Sequence, residues 1–439
     1  MDYKIYYLLI YTLLILCVKG TSITFIVFGF YTYDDLYKTL TEDFNKYSKN
    51  NELDVELNMF LFSAKNMSTG VDNYESTIDY ALYVYDPVYT RRYAPHFVDL
   101  KEMLGEEYIN SFSYDAYQTS TYEDRWVSLP IIMKYKVLYS NIKYLDKYKR
   151  ELPQTWDELI ETSEYIINKE RDNNNNNLVG YNGLFPNDEN SVCSIFEFIH
   201  SFRETKESQF PGFNSQTAID ALNKLKKIKE RTSSDDTFKS DINYNMNMVF
   251  SGNVLFSTLW DGMPTSDYKE TPLPGKNKGV NGSCLGGFNI GISKYISKEQ
   301  LNAALEVIKF FTSEEEQKKL ANTFGIKSSV KNIYNDEEFC KNIDCEFSKN
   351  VQGINRPTKD IDDYEFYALK EEENFINKLL KLNNQPTVIN SSVISSATND
   401  NITSDIDARA TVSSRSSHHN KIMNYHYSTG LTSISNDEH

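Results

Sequence analysis

Trp126–Ile160 reads WVSLPIIMKYKVLYSNIKYLDKYKRELPQTWDELI, and the fold of the whole chain turns on it. Trp126–Leu129 and Val137–Tyr139 are expected as strands on either side of Pro130. Apolar, β-branched and aromatic residues gather there, and proline cannot donate to a strand ladder. Thr155-Trp156-Asp157-Glu158 then forms a capping box, with Thr155 at the N-cap and Glu158 at the third helical position, starting a helix that runs to about Lys169. Buried strand followed by capped amphipathic helix is the grammar of an α/β chain.

Working outward, Ile23–Phe30 (ITFIVFGF) is a nearly continuous apolar run, as in a strand buried on both faces. Leu36, Leu40, Phe44 and Tyr47 follow at helical spacing, and Leu53–Phe62 returns to a strand. Tyr80–Tyr85 is a further short strand ending at Asp86-Pro87. Ala218–Ile228, Ser297–Phe311 and Ser313–Phe324 read as helices; the last two open with capping signals, and Gly325 stands where the last must stop. The five asparagines Asn173–Asn177 form a solvated loop with no chemistry of their own. Tyr364–Leu380 is one more expected helix. The Ser/Thr/Asn-rich stretch from Pro386 to His439 is expected to be disordered, since it has too little apolar surface to offset ordering entropy.

The charge is −16, from 46 Lys+Arg against 62 Asp+Glu, which speaks against a nucleic-acid partner, since such binding rests on cations neutralising phosphates. The 439 residues suit about two or three domains of roughly 150 residues. With 32 Tyr and 25 Phe, aromatic rings remain for a polar ligand after a core is filled. Of the 6 His, only His96 and His200 lie outside the tail, so a histidine metal site or triad is not expected, nor any cofactor. Ile5–Val18 is too short for the ~20 residues of a spanning helix, and Val18-Lys19-Gly20 suits cleavage, so residues 1–20 read as a secretory signal. An uncleaved anchor or a buried strand is the alternative. Secretion leaves Cys193, Cys284, Cys340 and Cys345, which allow three pairings; the local pair Cys340–Cys345 is expected, leaving Cys193–Cys284. Asn66, Asn281, Asn390 and Asn401 head glycosylation sequons.

Several segments, in order, resemble type II periplasmic binding proteins of the maltose-binding kind, the extracellular solute-binding proteins of sugar transporters. Trp126–Ile160 resembles that family's hairpin, crossing segment and Pro-x-Thr-Trp-Asp-Glu-Leu helix start. VFSGNVLFSTLWDGM with TPLPG after it, LGGFNIGISKYI with AALEVIKFFTSEEEQKKLANTFG, and Asn355-Arg356-Pro357 supply the rest, so the likeness covers about 22–385. Phe288 stands where the family has Trp, and the proline usual after the Gly325 helix is missing. The Asn run, the tail and the sequons suggest a eukaryotic cell-surface version, akin to domains fused ahead of seven-helix class C receptors. The resemblance implies a two-lobed Venus-flytrap α/β fold with crossing hinge segments near Met133–Lys136, Gly282–Gly286 and Gly325–Ser329. Lobe one would be 22–133 with 285–325, and lobe two 138–280 with 326–385.

Candidate ligand residues follow. Trp260-Asp261-Gly262 ends an apolar strand, at the sheet edge where α/β folds bind ligands; an indole stacks on a sugar face and a carboxylate accepts hydroxyl hydrogen bonds. A packed Trp with a turn-forming Asp-Gly is the plainer reading. Phe288 takes the family's stacking position or is a core Phe. Asp86, with Tyr89 behind it, serves the ligand or forms an Asx turn. Tyr31 or Tyr33 faces the cleft after the first strand, and Tyr135 lies in a crossing. Trp126 and Trp156 read as core, and Arg91-Arg92 as solvated surface. The expected function is extracellular binding of a carbohydrate-like small solute by a monomer, working with a membrane transporter or a seven-helix receptor, without catalytic residues. A secreted glycoside-acting enzyme using Asp86 and Asp261 is the alternative, and a degenerate adhesion or dimerisation domain a third.

Overall fold

The computed structural model describes residues 20–29, 33–63 and 80–357. The first part of the chain supplies β1 (Thr21–Gly29), α1 (Asp34–Asn50), β2 (Val55–Ser63), β3 (Leu82–Tyr85) and α2 (Tyr114–Ser120). The short hairpin β4 (Thr121–Tyr122) and β5 (Arg125–Trp126) leads into β6 (Leu129–Asn141). Then come α3 (Trp156–Asp172), β7 (Val179–Asn182), α4 (Glu189–His200), α5 (Gln216–Thr232), β8 (Val254–Trp260) and β9 (Tyr268–Thr271). β10 (Ser283–Ile292), α6 (Lys298–Phe311), α7 (Glu314–Phe324) and β11 (Gly353–Ile354) follow, with short helical turns between.

The main sheet runs β2-β1-β3-β10-β6-β8-β7, with β9 beside β6 and β11 beside β10. β1 pairs in parallel with β2 and β3. α1 buries Leu36, Leu40 and Phe44, the stripe its spacing predicts. Both capping boxes form, Thr155 with Glu158 and Ser297 with Gln300, each closing free N–H groups at a helix start. Gly325 ends α7 at φ 65°, a left-handed position that glycine adopts without steric cost.

One strand differs from expectation. β6 is a single 13-residue strand through Pro130, rather than two strands flanking it. Pro130 is its second residue, near a strand start where a missing N–H costs least. The unbroken strand is what joins two cores. Its first half pairs with β10 (Phe288 opposite Ile132, Leu285 opposite Tyr135), and its second half with β8 and β9 (Lys136 opposite Trp260). One core gathers Phe25, Val27, Leu36, Phe44, Leu129, Ile131, Ile290, Val307 and Phe311; the other gathers Trp156, Leu159, Ile195, Phe198, Leu225 and Phe256. Trp126 is buried in the first and Trp156 in the second, where its indole N–H donates to Ser201 Oγ at 2.9 Å.

Three expectations are corrected. The chain after Gly325, expected in lobe two, sends Ile326, Val330, Ile333, Phe339 and Cys345 into the first core, where their apolar side chains leave water. Cys340–Cys345 is bonded, but Cys193 and Cys284 are free thiols. They lie in one apolar cluster with Ile354, and the Cys284 thiol donates to the Cys193 carbonyl at 3.6 Å, behaving as small hydrophobes. Asn281 is buried and engaged, its amide donating to the Asn350 carbonyl at 3.0 Å and accepting from Gln352 N–H at 2.9 Å, so it offers no open glycosylation site. The expected signal up to residue 19, Tyr31, Asn66, Asn390, Asn401, the helix Tyr364–Leu380 and the tail from Pro386 lie outside the described residues.

Candidate functional site

The carboxyl ends of β3 and β8 carry the expected site residues, one from each side of the crossing. β3 ends at Tyr85, and Asp86 begins the following turn by accepting from the Val88 N–H at 3.0 Å on Oδ1. Arg356 also donates to Asp86 Oδ1; among the described residues, Oδ2 accepts no hydrogen bond. The same guanidinium reaches Glu189, the first residue of α4, with Nη1 at 3.2 Å from Oε1 and 3.3 Å from Oε2. Asp86 thus forms the Asx turn and an ion pair while keeping an open acceptor.

β8 ends at Trp260, which stays half-buried, and its indole N–H donates to Asn190 Oδ1 at 3.2 Å. A Cβ on Gly286 of β10 would come within 2.9 Å of this indole, so only glycine lets the ring lie against the crossing strand. Beneath Trp260 lies Lys136, fully buried, donating to the Asn190 carbonyl at 3.0 Å and Ser194 Oγ at 2.7 Å. Its Nζ is 3.8 Å from Glu197, whose carboxyl burial raises to about 7.

Asp261 is placed otherwise. Its side chain has no exposed surface; Oδ1 is 3.4 Å from Lys134 Nζ and accepts from the Tyr135 N–H at 3.3 Å, and Lys327 Nζ lies 4.0 Å from Oδ2. Burial lowers the Lys134 pKa, but Asp261 and Tyr33 together more than offset it, holding the ammonium above the ordinary lysine range. Lys327 also pairs with Glu270 at 3.5 Å, and Glu270 accepts from the Gly262 N–H and the Tyr139 hydroxyl at 2.8 Å each. Lys327 follows Gly325 in the third crossing, where its carbonyl accepts from the Met133 N–H at 2.9 Å. Asp261 therefore ties crossing segments together.

Tyr135 is buried as well. Its hydroxyl donates to Asp115 Oδ2 at 2.9 Å, and burial pushes the Asp115 carboxyl up to about 6. Phe288 is half-buried on the first core, set edge-on to Tyr33 at 5.5 Å and Tyr37 at 6.4 Å. Tyr33 packs at the edge of the first core, with Lys134 Nζ 5.5 Å from its ring centre. The structure thus brings Trp260 and Asp86 to open strand ends and turns Asp261 and Tyr135 inward. Among the described residues, no group of His, Cys, Asp and Glu could hold a metal ion.

The model of the bacterial extracellular solute-binding protein family matches residues 39–346, more than half of the chain. The chain belongs to this family. Among solved structures, maltose-bound MalE3 of T. maritima superposes with a TM-score of 0.65 at 20% identity, covering 85% of this chain and 97% of its own. The cyclic alpha-maltosyl-1,6-maltose binding protein of Arthrobacter globiformis gives 0.68 at 13% identity, covering 86% and 97%. An ABC transporter solute-binding protein of Agrobacterium radiobacter K84, in complex with ribitol, gives 0.62 at 14% identity, covering 87% and 98%. At such identities the likeness establishes the fold, the two-lobed periplasmic-binding-protein architecture. No helix of the described residues is long and apolar enough to cross a membrane.

Several charged residues around these strand ends carry no local mark in the sequence. Glu189 and Asn190 open α4 behind the N-cap Asp188, a helix start that capping rules would find. Lys134 and Lys327 lie in the expected crossing segments and Arg356 in the Asn355-Arg356-Pro357 stretch, yet the sequence singles out none of them, nor Glu270, because only folding brings their charges to the strand ends.

Proposed function

We propose that this protein binds a carbohydrate or a similarly hydroxyl-rich small solute between its two lobes, closing about a hinge made of β6, β10 and the segment after Gly325. The observation that carries the reading is the pairing, at strand ends, of a half-exposed indole with a carboxylate oxygen that accepts no hydrogen bond among the described residues. Trp260 offers a ring face to the apolar face of a sugar; Asn190 holds that ring, while Asp86 Oδ2 accepts hydroxyls. The maltose, maltosyl-maltose and ribitol named for the similar structures point the same way. A stack of about 1 kcal/mol and charge-assisted hydrogen bonds of about 1.5–3 kcal/mol each account for the roughly −8 kcal/mol of a micromolar complex, after closure takes its share. Delivery to a membrane transporter is the use this proposal attaches to the family.

Calorimetric and thermal-shift titration with maltose, maltotriose and ribitol tests it. Saturable binding with a raised melting temperature is expected, and a flat response to all hydroxylated solutes overturns it. Nothing in the structure favours hydrolysis by Asp86 and Asp261, because Asp261 is sealed between Lys134 and Lys327.

A further inference from the structure

Lys136 is a fully buried lysine in the middle of β6, with Tyr135 and Val137 buried on either side of it. Charge in such a place is weak evidence for stability, since apolar side chains of similar volume often replace a buried ion pair without loss. What lysine alone supplies there is a set of donors, and α4 is built to receive them. Asn190, Ser194 and Glu197 recur at i, i+4 and i+7 and so share one face of that helix. Lys136 Nζ donates to the Asn190 carbonyl at 3.0 Å and to Ser194 Oγ at 2.7 Å, and stands 3.8 Å from Glu197 Oε1.

The same group reaches Trp260. Lys136 lies directly opposite Trp260 in the pairing of β6 with β8, and its Nζ sits over the indole, 5.9 Å from the ring centre. The ring is held on two further sides. Its N–H donates at 3.2 Å to Oδ1 of Asn190, the residue whose carbonyl Lys136 holds, and a Cβ on Gly286 would come within 2.9 Å of the indole. Glu197 closes the frame, its Oε2 accepting from the Cys284 N–H of β10 at 3.0 Å. Elements β6, β8, β10 and α4 thus meet at one indole around one ammonium. We propose that Lys136 is a positioning residue of the solute site, holding Trp260 and Asn190 in the orientation in which the outer face of the indole stacks on the solute, without meeting the solute itself.

The burial fits such a role. The Lys136 side chain has no exposed surface, so any loss of affinity on changing it passes through another residue. A half-buried indole left to choose among rotamers would have to be ordered as the solute arrives, and fixing it beforehand spares that cost. The ammonium also takes one face of the ring, which leaves the other for the solute. The role toward the solute rests on the sugar-binding reading; the hold on the ring does not.

The test uses the full chain with Lys136→Met, which keeps the side-chain length without charge or donors, Trp260→Ala and the double variant, each checked for a cooperative melt. Calorimetry reads affinity for the tightest of maltose, maltotriose and ribitol. Lys136→Met is expected to weaken binding about fivefold in the parent chain and to change nothing once Trp260 is gone, because the two act as one unit. Acrylamide quenching reads the ring without a solute. The emission lost on Trp260→Phe isolates Trp260 from the buried Trp126 and Trp156, and its quenching constant should rise with Lys136→Met. Equal losses of affinity with and without Trp260 would make Lys136 merely structural, and an unchanged quenching constant would mean that the ring is held without it; either overturns the proposal. Should no sugar bind, the functional reading fails, while quenching still decides the hold on the ring. Should Lys136→Met not fold, Ser194→Ala, which removes one acceptor of the same ammonium, carries the same cycle.

Discussion

Asp86 and Asp261 stand at equivalent points of two strands, each just past a carboxyl end, yet the fold treats them in opposite ways. Asp86 keeps 28% of its side-chain surface and an oxygen that accepts no hydrogen bond among the described residues, whereas Asp261 keeps none and is locked by Lys134 and the Tyr135 N–H. The cause lies in the neighbours. Beyond β3 the chain turns into short helices along the first lobe, and Asp86 meets a cation only at the cleft edge. Beyond β8 the turn 261–263 is pinned under two crossing segments, each bringing a lysine. A strand end marks where a ligand site can be; the charges folded over it decide whether a ligand or a lysine occupies the acid.

That contrast is open to direct attack. The largest effect is expected at the sealed end: Asp261→Ala leaves Lys134 buried beside an empty space and should cost about 3 kcal/mol in urea unfolding. A loss below about 1 kcal/mol would mean the pair is not dry. At the open end, Trp260→Ala should weaken sugar binding about tenfold, since one aromatic stack is worth about 1 kcal/mol or more. An unchanged dissociation constant removes Trp260 from the site. Asp86→Asn should lower affinity severalfold while moving the unfolding free energy by no more than about 1 kcal/mol, the reverse of the Asp261 pattern. Equal losses of stability at both positions would erase the distinction.

The smallest effect concerns the acid under Tyr135. Burial raises Asp115 from 3.8 to about 6, so the folded state holds its proton more tightly than the unfolded chain does. Its contribution to stability is complete below pH ~4 and is lost as pH rises through about 6. Asp115→Asn should therefore gain on the parent chain by about 1–2 kcal/mol between pH 4 and pH 6.5. A difference that is flat with pH would show that Asp115 titrates normally.

Much of the fold was legible because it rests on local periodicity. The 36-40-44 stripe, the two capping boxes and the glycine stop of α7 each act within one turn of helix. Pro130 misled for the same reason: a local rule about proline was applied to a strand whose continuity comes from β10 and β8 on either side. The places of Trp260 and Asp86 at strand ends were legible because a strand end can be read from an apolar run that stops. Tyr135 and Asp261 were placed on the ligand for that same reason, and their burial came from partners no window of sequence contains. Phe288 sits at the core's edge against Tyr33, a contact that likewise joins distant segments.

By itself, the sequence determined the elements, their order and the family, since hydrophobic spacing, caps and turns are written in neighbouring residues. Tertiary structure alone decided the charges of the cleft. Arg356 reaches Asp86 across 270 positions and Glu189 across 167, and Lys134 reaches Asp261 across 127. Coulomb attraction and desolvation depend on distance in space and on water excluded, and neither quantity exists until both lobes have folded around β6.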